Sequence, residues 1–280
     1  MNNSPSVRKI SLMILFFRNA LCKNILGVFP IEAQSHQIVF DSYMSELHRR
    51  GHNVTVYSHF PEIASEPYKI IKISNTTTSV LNPNYITMDN MNSPSIFNSY
   101  KHMFCLVSNG QAYAQSDSLR ELYAQPEDTY DLIVTETCNT DLYLALVGRF
   151  KAPFVAWTTS PLFVWSADRM GTSSNPAYIP VLMTQHGTDM SFLERWENTL
   201  LRSVAFYKYF IDSTIPSQEI ATKHYKSLMP LHQLVFKTSF LFVHTHYSLW
   251  GSRPLPHNVV EVGGLHVRPS KLQDAVTPYL

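Results

Sequence analysis

The first pattern along the chain is a short apolar run, then a helix with one apolar face, then a second apolar run. Residues 25–30 are almost wholly apolar and end at a proline, as a buried strand does. Residues 35–47 carry apolar side chains at every fourth position, which predicts an amphipathic helix that Gly51 ends. Residues 53–58 return to strand character, so the order predicts a βαβ unit within a parallel sheet.

The same alternation of apolar runs and amphipathic stretches continues toward the carboxyl end. Further strands are predicted at 68–73, 131–135, 153–158, 241–245 and 259–262, and further helices around 141–150, 191–212 and 216–229. The pattern predicts one α/β domain with a Rossmann-like parallel sheet and helices on both faces. We assign residues 25–267 to this domain.

The amino-terminal segment, residues 1–24, has the order of a secretory signal peptide. Arg8 and Lys9 precede an apolar run, and Ala20 and Cys22 follow it. This order predicts a cleaved signal and places the chain in the lumen of the endoplasmic reticulum. Because Arg18 shortens the apolar run, an extended start without a signal is the alternative. No later run approaches the ~18 apolar residues of a membrane helix, so no membrane anchor is predicted.

Composition excludes several function classes. The 22 basic and 21 acidic residues leave a net charge of +1, so the chain lacks the basic surface that nucleic acid requires. The 3 cysteines are scattered, and no spacing of Cys and His predicts a metal site. No GxGxxG, Walker loop or GxSxG occurs, which disfavours dinucleotide binding, P-loop chemistry and a serine hydrolase.

Two sequons offer acceptor sites for N-linked glycans. They begin at Asn53 and Asn75. Because Asn53 opens a predicted strand, only Asn75 is expected to be accessible.

Ligands of open parallel sheets bind outside the carboxyl ends of the strands. His36 comes just after the first strand, where a small molecule entering the crevice would reach its ring. We therefore predict His36 as a general base. The alternative is a histidine that only caps or packs the start of the helix.

Two carboxylates follow the fourth predicted strand. Glu136 ends the strand, and Asp141 begins the next helical stretch. A carboxylate bonded to one nitrogen of His36 would hold its tautomer and stabilise the imidazolium that forms when the other nitrogen takes a proton. Either residue fits this role. Asp141 could equally be a helix N-cap, and Glu136 a solvated strand end.

The chain resembles the start of animal, and especially insect, UDP-glycosyltransferases. The residues that carry the resemblance lie at 25–30, 35–36, 50–61, 130–134, 178–180, 245–248 and 254–266. The last of these resembles the segment that leads into the linker between the two domains of the family, so residues 268–280 are expected to begin that linker.

The resemblance implies the amino-terminal domain of a two-domain GT-B fold. In the family this domain holds a small lipophilic acceptor with a hydroxyl group, and the carboxyl-terminal domain holds a UDP-sugar, here expected to be UDP-glucose. His36 matches the histidine that deprotonates the acceptor before inverting transfer of the hexose. Glu136 stands where the family has an aspartate, and this departure keeps Asp141 as the substitute partner.

Aromatic side chains between about 80 and 200 are candidates for the acceptor pocket. They are Phe104, Trp157, Phe163, Trp165 and Tyr178. Each is otherwise a core residue.

Two hypotheses follow for a chain that ends at Leu280, before the donor-binding signature of the family. The first is an incomplete UDP-glycosyltransferase that is inactive without its donor domain. The second is a short form that binds small lipophiles, or associates with full-length relatives, without catalysis.

Overall fold

The computed structural model describes residues 22–29, 31–73, 116–182, 184–226 and 229–267. The predictions for the signal segment, for Asn75 and Phe104, and for residues 268–280 lie outside this part of the chain.

The described residues build one sheet of seven parallel strands in the order β3-β2-β1-β4-β5-β6-β7. The strands are β1 (Asn24–Phe29), β2 (Asn53–Ser58), β3 (Lys69–Lys72), β4 (Leu132–Glu136), β5 (Phe154–Thr158), β6 (Thr238–Val243) and β7 (Val259–Glu261). Every pair of neighbours is parallel, which confirms the sheet predicted from the sequence pattern.

Helices cover both faces of the sheet. They are α1 (Gln34–Arg49), α2 (Asp117–Ala124), α3 (Leu144–Val147), α4 (Val164–Arg169), α5 (Phe192–Tyr209), α6 (Ile215–Tyr225), α7 (Leu231–Leu234) and α8 (Tyr247–Trp250). The sequence pattern did not predict α2, α4, α7 and α8, because helices of four to eight residues are too short to establish a period.

The two long helices α5 and α6 are continuous, whereas the sequence predicted two separate helices. A π-helical turn at Phe210–Thr214 joins them. Pro216 lies in the first turn of α6 and cannot donate its backbone nitrogen to the preceding turn, so the ladder of hydrogen bonds widens there instead of stopping.

Helix α1 packs closely on one face of the sheet. Its side chains Val39, Phe40 and Met44 are buried against β1 and β2. A Cβ atom at Gly27 would lie 2.9 Å from the Met44 methyl carbon, so a glycine in β1 permits this close approach. Helices α2, α3, α6 and α7 contribute to the larger apolar cluster that also contains Leu26 and Val28 of β1.

Gly51 ends α1 as predicted. Its φ is +90°, and its backbone nitrogen donates to the carbonyl oxygen of His48 at 2.8 Å. The nitrogen of His52 donates to the carbonyl oxygen of Leu47, which completes a Schellman turn.

The strand order reverses at β1. The chain passes from β1 to β2 and β3 on one side, and β4 pairs with β1 on the other. The segments that leave β1 and β4 therefore separate, and they open a crevice at the carboxyl edge of the sheet, where ligands of such folds bind.

Candidate active site

His36 lies in the first turn of α1, at the crevice beside β1. Its backbone nitrogen bonds to the carbonyl oxygen of Ala33 at 3.2 Å, so the turn that follows β1 fixes its place. The side chain is 26% exposed, which leaves part of the imidazole open to a small molecule.

Glu136 faces His36 from the end of β4. Its side chain is fully buried, and its Oε1 lies 2.8 Å from Nδ1 of His36. With Nδ1 donating its proton to this carboxylate, Nε2 is the ring nitrogen that can accept a proton. The structure therefore brings His36 and Glu136 together, in the arrangement of a general base and the acid that orients it.

Thr159 joins the pair from the end of the next strand, β5. Its hydroxyl donates to Oε1 of Glu136 at 2.8 Å, and its oxygen lies 3.0 Å from Nδ1 of His36. The sequence analysis missed this residue. The carboxyl-end rule that identified His36 would have found it, because Thr159 directly follows the strand beside β4.

The surroundings raise the pKa of His36 above its ordinary value of 6.5. Burial, the largest single influence, lowers it, but the charge and the hydrogen bond of Glu136 together outweigh burial. A base with a raised pKa holds an abstracted proton more strongly, which suits proton removal from a hydroxyl group.

A second pair of histidines borders the site, and the sequence analysis did not single it out. His244 follows β6, and its Nε2 lies 3.2 Å from Nδ1 of His266. Its side chain also bonds to the backbone of Thr159. Burial lowers the pKa of His244, and the neighbouring His266 and His36 lower it further, whereas the bond to the Thr159 backbone raises it.

Asp141 is separate from His36 in its hydrogen bonding. Its Oδ1 and Oδ2 accept bonds of 2.7 and 2.5 Å from the two terminal nitrogens of Arg169. Arg169 also donates to the hydroxyl of Tyr209 at 2.9 Å. Both oxygens of Asp141 are thus held by one guanidinium, in an ion pair that links α4 and α5 to the chain after β4.

Most of the aromatic candidates are buried. Trp157 is 0% exposed and packs edge-on against Phe40 and Phe242, inside the contact between α1 and the sheet. Trp165 is 1% exposed and stacks between Phe163 and Tyr209 at centroid distances of 4.6 and 4.5 Å. These indoles stabilise the interior.

The other two described candidates differ in exposure. Phe163 is buried, although it lines a small cavity beside Pro180 and Val181. Tyr178 is 40% exposed, and its hydroxyl lies 3.3 Å from that of Ser173. Of the predicted aromatic set, Tyr178 is the described residue with the most surface available to a ligand.

The expectation that Asn53 is inaccessible is wrong. Asn53 is exposed, because the first position of β2 lies at the rim of the sheet. Its side-chain nitrogen donates to Oδ1 of Asn24 at 2.9 Å.

Other chemistries find little support in the described residues. Burial raises the pKa of the Cys138 thiol to about 12, so this thiol stays protonated and unreactive. Within the described ranges, no three His, Cys, Asp or Glu side chains are grouped to hold a metal ion. No helix in the described part of the chain is both long and apolar enough to cross a bilayer.

Fold and site together define a class of protein: a parallel α/β domain with a histidine and carboxylate pair at the switch point of its sheet. Residues 24–276 match the family described as UDP-glucoronosyl and UDP-glucosyl transferase, and the chain belongs to this UDP-glycosyltransferase family.

Curated relatives agree with the family. UDP-glycosyltransferase UGT5 of Dactylopius coccus is 33% identical over 275 residues, which are 95% of this chain and 52% of that protein. UDP-glucuronosyltransferase 2B14 of Oryctolagus cuniculus is 23% identical over 95% of this chain and 54% of its own length. The chain thus spans about half the length of the curated relatives it matches and corresponds to their amino-terminal half.

Solved glycosyltransferases also align with the chain. The calicheamicin glycosyltransferase CalG4 is 14% identical with a TM-score of 0.43, over 87% of this chain and 53% of that chain. Arabidopsis thaliana UGT89C1 complexed with quercetin is 14% identical with a TM-score of 0.38, over 87% of this chain and 50% of that chain.

Proposed function

We propose that this chain is the acceptor-binding part of an inverting UDP-glycosyltransferase and that His36 is its general base. The observation that carries the proposal is the 2.8 Å contact between Nδ1 of His36 and Oε1 of Glu136 at the switch point of the sheet. The partner is Glu136 and not Asp141, because Arg169 already holds both oxygens of Asp141.

The pair suits one transfer step. Nε2 of His36 takes the proton of an acceptor hydroxyl, and the hydroxyl oxygen forms a bond to the anomeric carbon of the sugar. The bond from that carbon to the diphosphate breaks, and UDP leaves with the electron pair. Glu136 stabilises the imidazolium through the proton on Nδ1, and Thr159 holds the carboxylate in place.

The donor and the compartment belong to the same proposal. Family membership supports a UDP-sugar as co-substrate, and we take UDP-glucose as the first donor to test. A second domain, reached through residues 268–280, would bind it. The signal-like order of residues 1–24 supports the endoplasmic reticulum lumen, with a small lipophilic hydroxyl compound as acceptor.

Calorimetric titration of the purified 280-residue chain tests the division of labour. We expect phenolic or steroid acceptors to bind and UDP-glucose not to bind. Clear binding of UDP-glucose by this chain would contradict the assignment of the donor site to another domain.

Transfer itself is measured in a fusion protein, in which this chain is followed by the carboxyl-terminal half of the Dactylopius coccus relative. We call this protein the two-domain fusion. We expect it to transfer glucose to those acceptors that bind the 280-residue chain. Acceptors that bind tightly but never react in an otherwise folded fusion would count against the proposal.

A further inference from the structure

A cleft of about 370 Å³ opens between two segments that leave the carboxyl edge of the sheet. One wall begins at Pro161 and Leu162, two residues after Thr159, and the other belongs to the connection from β6 to β7, at Trp250 and Arg253. Both walls leave the carboxyl ends of neighbouring strands, so the cleft lies along the same edge of the sheet as His36. Its volume is within the range of small-molecule sites.

Arg253 is the charged group of this cleft that has no hydrogen-bonded partner in the described part of the chain. It also lines the two smaller cavities that adjoin the cleft. Burial lowers its pKa, and Glu261 acts on it only through its charge. The donors of this half-buried guanidinium are not taken by another side chain of the described residues, so they can pair with an anionic ligand.

The remaining walls are mostly apolar. Trp250 is 44% exposed and Leu249 is 80% exposed, and both border the cleft next to Pro180 and Val181. An indole with an open face is a surface on which an aromatic ring can stack. The cleft therefore combines one cation with a flat apolar surface.

The charged side chains around the cleft favour a ligand with a single negative charge over a ligand with a phosphate group. His186 is the other ionisable side chain among the described lining residues, and its Nε2 lies 3.4 Å from Oε2 of Glu197. Glu194 and Glu261 add negative charge at either side. A phosphate group with two charges would need several donors, whereas one guanidinium matches one carboxylate by two parallel hydrogen bonds.

We infer that this cleft selects acceptors that carry a carboxylate on an aromatic ring, with Arg253 binding the carboxylate and Trp250 stacking on the ring. The inference rests on the proposed function, since it names the class of acceptor whose hydroxyl His36 would deprotonate. It assigns specificity to a residue that takes no part in the chemistry.

Calorimetry with a matched pair of ligands tests the inference on the 280-residue chain. The probes are 6-hydroxy-2-naphthoate and the neutral 6-hydroxy-2-naphthamide, which differ in charge and hardly in shape. We expect the acid to bind at least about tenfold more tightly than the amide, the effect of a charge-assisted pair. Arg253→Gln should remove this preference by weakening only the acid.

Two further variants separate the parts of the site. Trp250→Leu should weaken the acid and the amide to the same degree, because both lose the stacking surface. Arg120→Gln removes an equal charge from an exposed helix, where Arg120 pairs with Asp117, and should change neither affinity. Arg253→Lys keeps the charge without the planar fork and should retain part of the preference, which also guards against a folding defect in Arg253→Gln.

Several results would overturn the inference. They are equal affinity for acid and amide, absence of binding by both, a preference that survives Arg253→Gln, and displacement of the acid at Arg253 by inorganic phosphate of equal or higher affinity. None of these measures transfer, so they are distinct from failure of the proposed function, which the two-domain fusion reports through His36.

Discussion

Two buried carboxylates five positions apart have opposite surroundings in this protein. Oε1 of Glu136 is bonded to both His36 and Thr159. The second oxygen, Oε2, has no hydrogen bond from the described residues. Asp141 has both oxygens bonded by Arg169, whose charge is permanent. The chain from β4 to α3 thus carries one carboxylate that is bonded to the candidate base and another that is held in a buried ion pair.

The difference lies in the partner and not in the acid. A histidine gains and loses a proton near neutral pH, so a carboxylate beside it can stabilise the imidazolium that a proton transfer forms. An arginine cannot be deprotonated, so it remains a permanent cationic partner for the carboxylate, and the pair contributes to cohesion. Substitutions on the two sides should therefore change activity in one region and stability in the other.

The largest effect is expected from His36→Ala in the two-domain fusion. Loss of the base should lower kcat about 10²- to 10⁴-fold while acceptor affinity changes much less, because proton transfer to Nε2 takes place in the transition state and not on binding. Steady-state kinetics with UDP-glucose measure both. His232→Ala, at an exposed histidine, is the control and should leave kcat unchanged. An equal loss in kcat and in acceptor affinity for His36→Ala would remove the assignment.

Asp141→Asn should lower stability, because it removes the charge that pairs with Arg169. The buried Arg169 would lose its anion, so the free energy of unfolding should fall by about 3 kcal/mol. Urea denaturation of the 280-residue chain measures this. The control Asp131→Asn changes an exposed carboxylate that pairs with Lys23 and accepts from the backbone nitrogen of Asn24, and it should cost much less stability. A selective loss of kcat in folded Asp141→Asn, without loss of stability, would make Asp141 part of the active site.

The sequence predicts the location of the site better than the hydrogen bonds and ion pairs within it. Strand ends locate His36 and Glu136, because apolar runs mark β1 and β4 and ligands collect where such strands end. The choice between Glu136 and Asp141 depends on Arg169, which lies 28 positions beyond Asp141. No local pattern reports such a contact. The strand-end rule could have located Thr159 as well, but no local pattern reports its contact with His36, which lies 123 positions away.

The fold shows a similar division between local and long-range information. Residues 53–58 were predicted as β2 with the observed bounds, since a turn residue precedes this run and its interior is buried. The strand predicted at 241–245 is instead Thr238–Val243, because pairing with β5 decides which residues extend. Trp157 was a pocket candidate by composition, yet packing between α1 and the sheet buries it completely.

Glu136→Gln should have an intermediate effect and sharpens the role of the carboxylate. The amide cannot stabilise the imidazolium, so kcat in the fusion should fall roughly tenfold or more. The control Glu127→Gln changes an exposed glutamate that pairs with Lys151 and should keep full activity. Unchanged kcat in Glu136→Gln would leave the 2.8 Å contact without a catalytic role.

Glu136→Gln should also change the pH dependence of stability and of kcat/KM. The folded protein raises the pKa of His36, so the stability this gives is fully present below pH 6.5 and is lost as pH rises through the folded pKa. Glu136→Gln should lower that pKa and remove this part of the stability. The titration of the His36 ring protons by NMR should move to lower pH, as should the rise of kcat/KM with pH. A titration that stays in place would show that Glu136 does not control the base.

The smallest effect is expected from Thr159→Val, which tests whether the carboxylate itself needs to be held. The hydroxyl donates to Oε1 of Glu136 at 2.8 Å, and one such bond is worth about 1 kcal/mol, or roughly a fivefold change in rate if it all appears in the transition state. Fusion kinetics measure the loss, with Thr222→Val on the exposed side of α6 as the control. In the double variant with Glu136→Gln the two losses should be less than additive, because Thr159 acts through the carboxylate. Full additivity would mean that Thr159 acts on His36 or on the acceptor directly.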